Sequence, residues 1–155
     1  MTVMGNLSAI ASTAPQLIAT ATLAVETPRA GFTDITRDVA NFLRNIPASD
    51  GVLLLYLRHT SASLVIQENA DPDVQDDLMT ALALLAPENA GWVHDTEGPD
   101  DMPAHIKAML NGVSLNVPVS GGKAALGTWQ GIYLVEHREA PHRREVVLQF
   151  IGGRK

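Results

Sequence analysis

Four of the five histidines, His59, His94, His105 and His137, stand beside turns or strand ends rather than inside apolar stripes. Imidazole so placed suits proton transfer near neutral pH and ligation of a divalent metal. The chain has no cysteine, which excludes disulfides, thiolate metal sites and a cysteine nucleophile, and leaves His, Asp and Glu as the strong ligands. No two histidines lie one helical turn apart, so a metal site has to be assembled by the fold from distant segments. Each histidine taken alone is equally well explained by a hydrogen bond to a neighbouring carboxylate or backbone group.

The segment from His94 to His105 is the richest in functional groups, with Asp95, Glu97, Asp100 and Asp101 between the two imidazoles. Its acids can bind Mg²⁺, orient the histidines or act as a general base. One of Asp100 and Asp101 is expected to do no more than cap the helix that follows. His59, Thr60, Ser61 and Ser63 offer an imidazole and three hydroxyls at the end of an aliphatic run, a composition that suits a phosphate cradle or, as readily, a polar strand end that satisfies its own turn. Asp71 reads as a helix cap, whereas Glu68 and Asn69 beside it have no obvious structural task. Gly127, Thr128, Trp129, Gln130 and Gly131 place an indole and an amide between two glycines, which fits either a ring-stacking platform or a core tryptophan at a bulge. Arg138 is suited to a phosphate or to an acid, and the His142, Arg143, Arg144 cluster reads as a solvated turn without a role.

These groups need a scaffold, and the hydrophobic pattern supplies one. Alternation predicts a strand over 16–27, and Thr33 is expected to cap a helix whose stripe is Ile35, Val39, Phe42 and Ile46. Val52 to Leu57 reads as a central strand covered on both faces, and Ser63 to Gln67 as the next. Val74, Leu78, Leu82 and Leu85 mark a second helix with its stripe turned inward, and a third is expected from near Pro103 to the stop at Asn111 and Gly112. Strands are then predicted over 113–119, 124–130, 132–138 and 145–151. Few helices and short turns give an α+β domain with mostly antiparallel or mixed pairing.

At 155 residues, 46% of them hydrophobic, the chain is expected to form one domain over residues 16–155, after a flexible extension of residues 1–15. A net charge of −6 argues against a nucleic-acid or anionic-membrane binder. No apolar run reaches the roughly 20 residues that span a bilayer, and the first residues lack the basic and apolar regions of a signal peptide, so the cytoplasm is the expected location.

The stretches HTSASLVIQENADPDVQDDL, HDTEGPDDMPAHIKAMLNG and LGTWQGIYLVEHR, in this order between residues 59 and 138, resemble the YjbQ-type family, described as secondary thiamine-phosphate synthase. Gln67, Val93 and Thr96 depart from the family pattern without removing a candidate catalytic group. The resemblance implies a compact α+β fold, a homotrimer, and a transferase that joins a pyrimidine-methyl diphosphate to a thiazole phosphate with loss of pyrophosphate. A metal-dependent hydrolase of a small phosphorylated metabolite and a non-catalytic metabolite- or metal-binding trimer are the alternatives. His59, His94, Glu97 and His105 are the candidate catalytic residues. Thr60, Ser61, Glu68, Asn69, Thr128, Trp129, Gln130 and Arg138 are candidates for substrate binding. His94, His105 and His137, with Asp101 as a further candidate, are the expected ligands of a divalent Zn²⁺ or Mg²⁺ ion. Asp100 and Gly127 also match signature positions.

Overall fold

The computed structural model of the protein describes residues 5–155; the first four residues of the expected extension lie outside them, and residues 5–16 are exposed and carry no regular element. Eight strands and three helices follow in the order β1 (Leu17–Thr27), β2 (Gly31–Asp34), α1 (Thr36–Arg44), β3 (Ala48–Leu57), β4 (Ala62–Glu68), α2 (Pro72–Leu85), α3 (Asp101–Asn111), β5 (Ser114–Ser120), β6 (Lys123–Ala124), β7 (Gln130–Glu136) and β8 (His142–Arg154). They build a five-stranded sheet in the order β1-β8-β3-β5-β6 and a three-stranded sheet in the order β2-β7-β4. Every pairing is antiparallel, so the expected α+β class holds and a mixed sheet does not arise.

Period-two alternation sets the core. On β3, Leu53, Leu55 and Leu57 are buried, and on β8 Val146, Leu148 and Phe150; they meet Leu64 of β4, Ile132 and Leu134 of β7, and Val39 and Leu43 of α1 in one cluster. Burying such side chains fully contributes about 1.5–3 kcal/mol each. Gly51 and Gly152 sit opposite one another where the β3–β8 register shifts, and a Cβ on Gly51 would lie 2.4 Å from the Ile151 carbonyl. Only glycine fits so close an approach.

The structure corrects several sequence expectations. Thr33 caps no helix: residues Gly31–Asp34 instead pair with β7, from Gly31 opposite Glu136 to Asp34 opposite Tyr133, because an available strand partner outweighs a local capping preference. The helix starts at Thr36, whose N–H is bonded by the Asp34 carboxylate at 2.8 Å. Val52–Leu57 is not covered on both faces; the outer face holds the partly exposed Val52 and Leu54 and the exposed Tyr56. On α2 only Leu82 of the expected stripe is buried, and Leu85 is exposed. The strand expected over 124–130 is paired only at its two ends, Ala124 in β6 and Gln130 in β7, and 125–129 form a loop. No helix among the described residues is long and apolar enough to cross a membrane.

Candidate functional site

Helix α3 begins at Asp101, and four residues on, one turn later, His105 faces the same side. The irregular segment before the helix returns His94 to that face. His94 Nε2 lies 2.6 Å from Asp101 Oδ2, and His105 Nε2 lies 3.3 Å from the same oxygen. One ligand atom from each of His94, Asp101 and His105 falls within 4.8 Å of the others. Two imidazole nitrogens and a carboxylate oxygen make a donor set that suits Zn²⁺ better than Mg²⁺, which prefers oxygen.

The surroundings fit a cation. His105 Nδ1 donates to the Thr60 carbonyl at 2.8 Å. A carbonyl only accepts, so Nδ1 carries a proton, and Nε2, in a ring without a second proton, presents a lone pair to a carboxylate oxygen. Two acceptors facing each other need a cation or a proton between them. Asp101 is almost fully buried, and its other oxygen accepts from Arg138 Nη1 at 2.5 Å. Burial pushes the Asp101 carboxyl up, but polar contacts with His94 and Glu97 and the charges of Arg138 and His105 outweigh it and hold it below the usual carboxylate range. An imidazole fixed by a carbonyl and a carboxylate fixed by a guanidinium are the outer contacts that orient metal ligands.

Arg138 ties the whole segment down. Its Nε donates to Asp100 Oδ2 at 3.1 Å and its Nη2 to the Glu97 carbonyl at 2.8 Å. Asp100 therefore does not cap α3 with its side chain; it accepts from Arg138 and from the Glu139 amide. Burial raises the Asp100 carboxyl, while the Glu139 amide and Arg138 outweigh it and hold it below its ordinary value. The Glu97 carboxylate, mostly exposed, stands 3.7 Å from His94 Nε2 at the rim. His105 also lines an open pocket of about 710 Å³, together with Leu57, Arg58, His59, Thr60 and Met109. That volume is in the range of small-molecule sites.

His137, expected as a metal ligand, lies apart from this cluster, and Asp101 takes the third place. It is buried and its Nε2 is 2.9 Å from Ser63 Oγ. The Ser63 oxygen also accepts from Asn111 at 3.0 Å, and His137 Nδ1, on the far side of the ring, is buried without a hydrogen-bond partner among the described residues. Burial pushes His137 down to about 4, which keeps it neutral. His59 is also committed internally: Nε2 accepts from the Glu145 amide at 2.9 Å, and burial and then Arg144 lower its pKa. Ser61 Oγ accepts from Arg144 Nη2 at 2.9 Å. Of the expected phosphate cradle, then, His59 and Ser61 are spoken for, and Thr60 serves through its carbonyl.

The remaining candidates gather elsewhere. The Glu68 carboxylate accepts from the Ala70 and Asp71 amides at 3.1 and 2.9 Å, a local structural task. Asn69 Nδ2 donates to the carbonyls of Thr128 and Gln130, and the Asn69 amide to that of Trp129. Gln130 Oε1 accepts from the Gly127 amide at 2.8 Å. This loop is pinned from several sides, yet its Trp129 is 64% exposed, so the indole is neither core nor covered. Glu68 pairs with Gln130 at one end of the β4–β7 ladder, and Ala62 with Glu136 at the other. Six residues of strand at about 3.3 Å each put roughly 20 Å between the Trp129 loop and the histidine cluster.

Sequence reasoning missed Glu136 and Arg144, both buried. Arg144 Nε and Nη2 donate to the two Glu136 oxygens at 2.7 and 2.5 Å. Arg144 alternates inward with Val146, Leu148 and Phe150, and extending that period two residues towards the N-terminus would have found it.

Fold and site together define a small antiparallel α+β protein with a His-Asp-His cluster suited to a divalent cation. The YjbQ family, described as UPF0047 protein YjbQ-like, matches residues 21–153, and the chain belongs to it. It is 52% identical over 103 residues to a UPF0047 protein of Synechocystis, covering 66% of this chain and 70% of that one. It is 46% identical over 128 residues to the YjbQ protein of Salmonella typhimurium, covering 82% and 92%. Among solved structures, a YjbQ/UPF0047 family protein from Clostridium acetobutylicum superposes with a TM-score of 0.79 at 37% identity, over 84% of this chain and 99% of that one.

Proposed function

We propose that the protein is a metal-dependent enzyme acting on a small phosphorylated metabolite. His94, Asp101 and His105 would hold a Zn²⁺ ion, whose contribution is Lewis acidity towards a phosphate oxygen or a bound water. Glu97, at the rim beside His94, is placed to take a proton from an attacking water, which makes hydrolysis the first reading. Arg138 keeps Asp101 ionised and in place. The cavity beside His105 offers room for the body of the metabolite. The single observation that carries the reading is the convergence of His94 Nε2 and His105 Nε2 on one oxygen of the buried Asp101 carboxylate, with the outer contacts from Thr60 and Arg138 already made.

The transferase reading has one specific support, the pinned loop that presents an uncovered Trp129. An indole there can stack on a pyrimidine. Since the loop lies roughly 20 Å from the cluster in one chain, this reading requires Trp129 to reach the cluster of another copy, and the homotrimer implied by the resemblance would supply one. Titration of the purified protein with Zn²⁺, followed by assays for phosphate release from a panel of phosphate esters and for thiamine phosphate formation, tests both. We expect one equivalent of Zn²⁺ and metal-dependent phosphate release; absence of Zn²⁺ binding would remove the reading.

A further inference from the structure

We propose that the buried Glu136–Arg144 ion pair is a positioning device that presets the metal centre, an inference that rests on the reading of His94, Asp101 and His105 as ligands. Glu136 closes β7 in the three-stranded sheet, and Arg144 lies near the start of β8 in the five-stranded one, so the pair ties the two sheets together beside the cluster. Both are almost wholly buried. Glu136 Oε2 also accepts from Thr27 Oγ1 at 2.7 Å, so three strands converge on one carboxylate. Burial alone would raise that carboxyl, and the bonds from Arg144 and Thr27 hold it ionised.

Such a pair gives little net stability, because desolvation of two charges offsets their attraction and apolar side chains of similar size do as well. What sets this one apart is what hangs from it. Glu136 Oε1 accepts from the His137 and Arg138 amides at 3.1 and 3.0 Å, fixing the turn from which the Arg138 side chain reaches Asp101. Arg144 Nη2 donates to the carbonyl and hydroxyl of Ser61, fixing the strand end whose Thr60 carbonyl receives the proton of His105 Nδ1. The two outer contacts of the cluster, one on Asp101 and one on His105, thus start from the same ion pair. Neither Glu136 nor Arg144 touches the ligands, so both act through Arg138 and Thr60.

The test is Zn²⁺ affinity, measured by competition with a chromophoric chelator, alongside melting temperature. Glu136→Gln with Arg144→Met removes both charges and leaves neither unpaired. We expect Zn²⁺ affinity to fall by about 10-fold, the lower end of the range for residues that contact ligands directly, because the pair acts one contact further out. As a control, Leu43→Ala, a core truncation on α1, lowers the melting temperature and leaves Zn²⁺ affinity unchanged. Wild-type affinity in the folded double variant overturns the inference. If the double variant does not fold, Ser61→Ala and Thr27→Val each remove one contact to the pair; each is expected to weaken Zn²⁺ binding several-fold, and wild-type affinity in both would overturn the inference equally. Failure of the wild-type protein to bind Zn²⁺ is a separate outcome, which removes the metal reading and this inference with it.

Discussion

The two ends of the β4–β7 ladder carry polar groups of similar density and use them differently. At the Glu136 end, buried charges are paired and two imidazole nitrogens converge on one oxygen of a buried carboxylate. At the Gln130 end, the carboxylate of Glu68 and the amides of Asn69 and Gln130 are spent on holding a loop, and the product is an exposed indole. The first end gathers donors that would suit a small charged species. The second leaves a flat apolar ring uncovered in this chain. Side-chain inventory alone would not separate them; the distinction lies in what each group is already bonded to.

The largest expected effect comes from removing a ligand. His105→Ala or His94→Ala should abolish activity and weaken Zn²⁺ binding by about 100-fold or more, the loss expected when one of three protein ligands goes. Both side chains are partly exposed, so the melting temperature should hardly move. Wild-type turnover in either variant would break the contrast by showing that the cluster is not the working end.

Next is Trp129→Ala. If hydrolysis is the reaction, turnover should stay within about twofold, because the indole lies roughly 20 Å away along the ladder. If transfer is the reaction, activity should be lost, and mixing Trp129→Ala with His105→Ala chains should restore part of it by pairing an intact loop with an intact cluster from different copies. Loss without recovery on mixing would mean that the two ends cooperate within one chain, contrary to the distance between them.

A smaller effect concerns pH. His137 titrates at about 4 in the folded protein against an ordinary 6.5. Between these values the unfolded chain binds the extra proton and the folded one does not, so stability falls as pH drops through this window. The loss amounts to on the order of 3 kcal/mol by pH 4, and His59, also lowered, adds in the same direction. Urea unfolding at pH 7.5 and 4.5 should show this slope, reduced in His137→Gln; an unchanged slope in that variant would contradict the buried neutral imidazole. The smallest effect is at the far end. Asp71→Ala removes the cap of α2, where the carboxylate accepts from Asp73 at 3.0 Å, and should cost about 1 kcal/mol without altering Zn²⁺ affinity.

Much of the fold was legible because its signals are local. Alternation marked β1 and β8, the proline after Asp71 marked α2, and Gly112 marked the end of α3. The segment from His94 to His105 was legible as a candidate site because its polar density had no structural explanation, and the fold brings His94, Asp101 and His105 together. What escaped depends on partners distant in sequence. Strand β2 is defined by β7, a hundred residues on, and its own four residues read as a helix entrance. His137 looked like a ligand because it ends a strand beside Arg138, and only the placement of Ser63 and Asn111 shows that its ring turns the other way. Arg144 looked solvated because the strand containing it starts three residues earlier than the local pattern suggests.

The claim on which the rest depends is that His94, Asp101 and His105 converge on one cation. A crystal soaked in Zn²⁺ and measured at the zinc absorption edge tests it directly. The account predicts one anomalous peak about 2.0–2.2 Å from His94 Nε2, His105 Nε2 and a carboxylate oxygen of Asp101, with Arg138 still on the other oxygen. A peak at His137 or His142, or none in a crystal whose cluster stays as described, would contradict it.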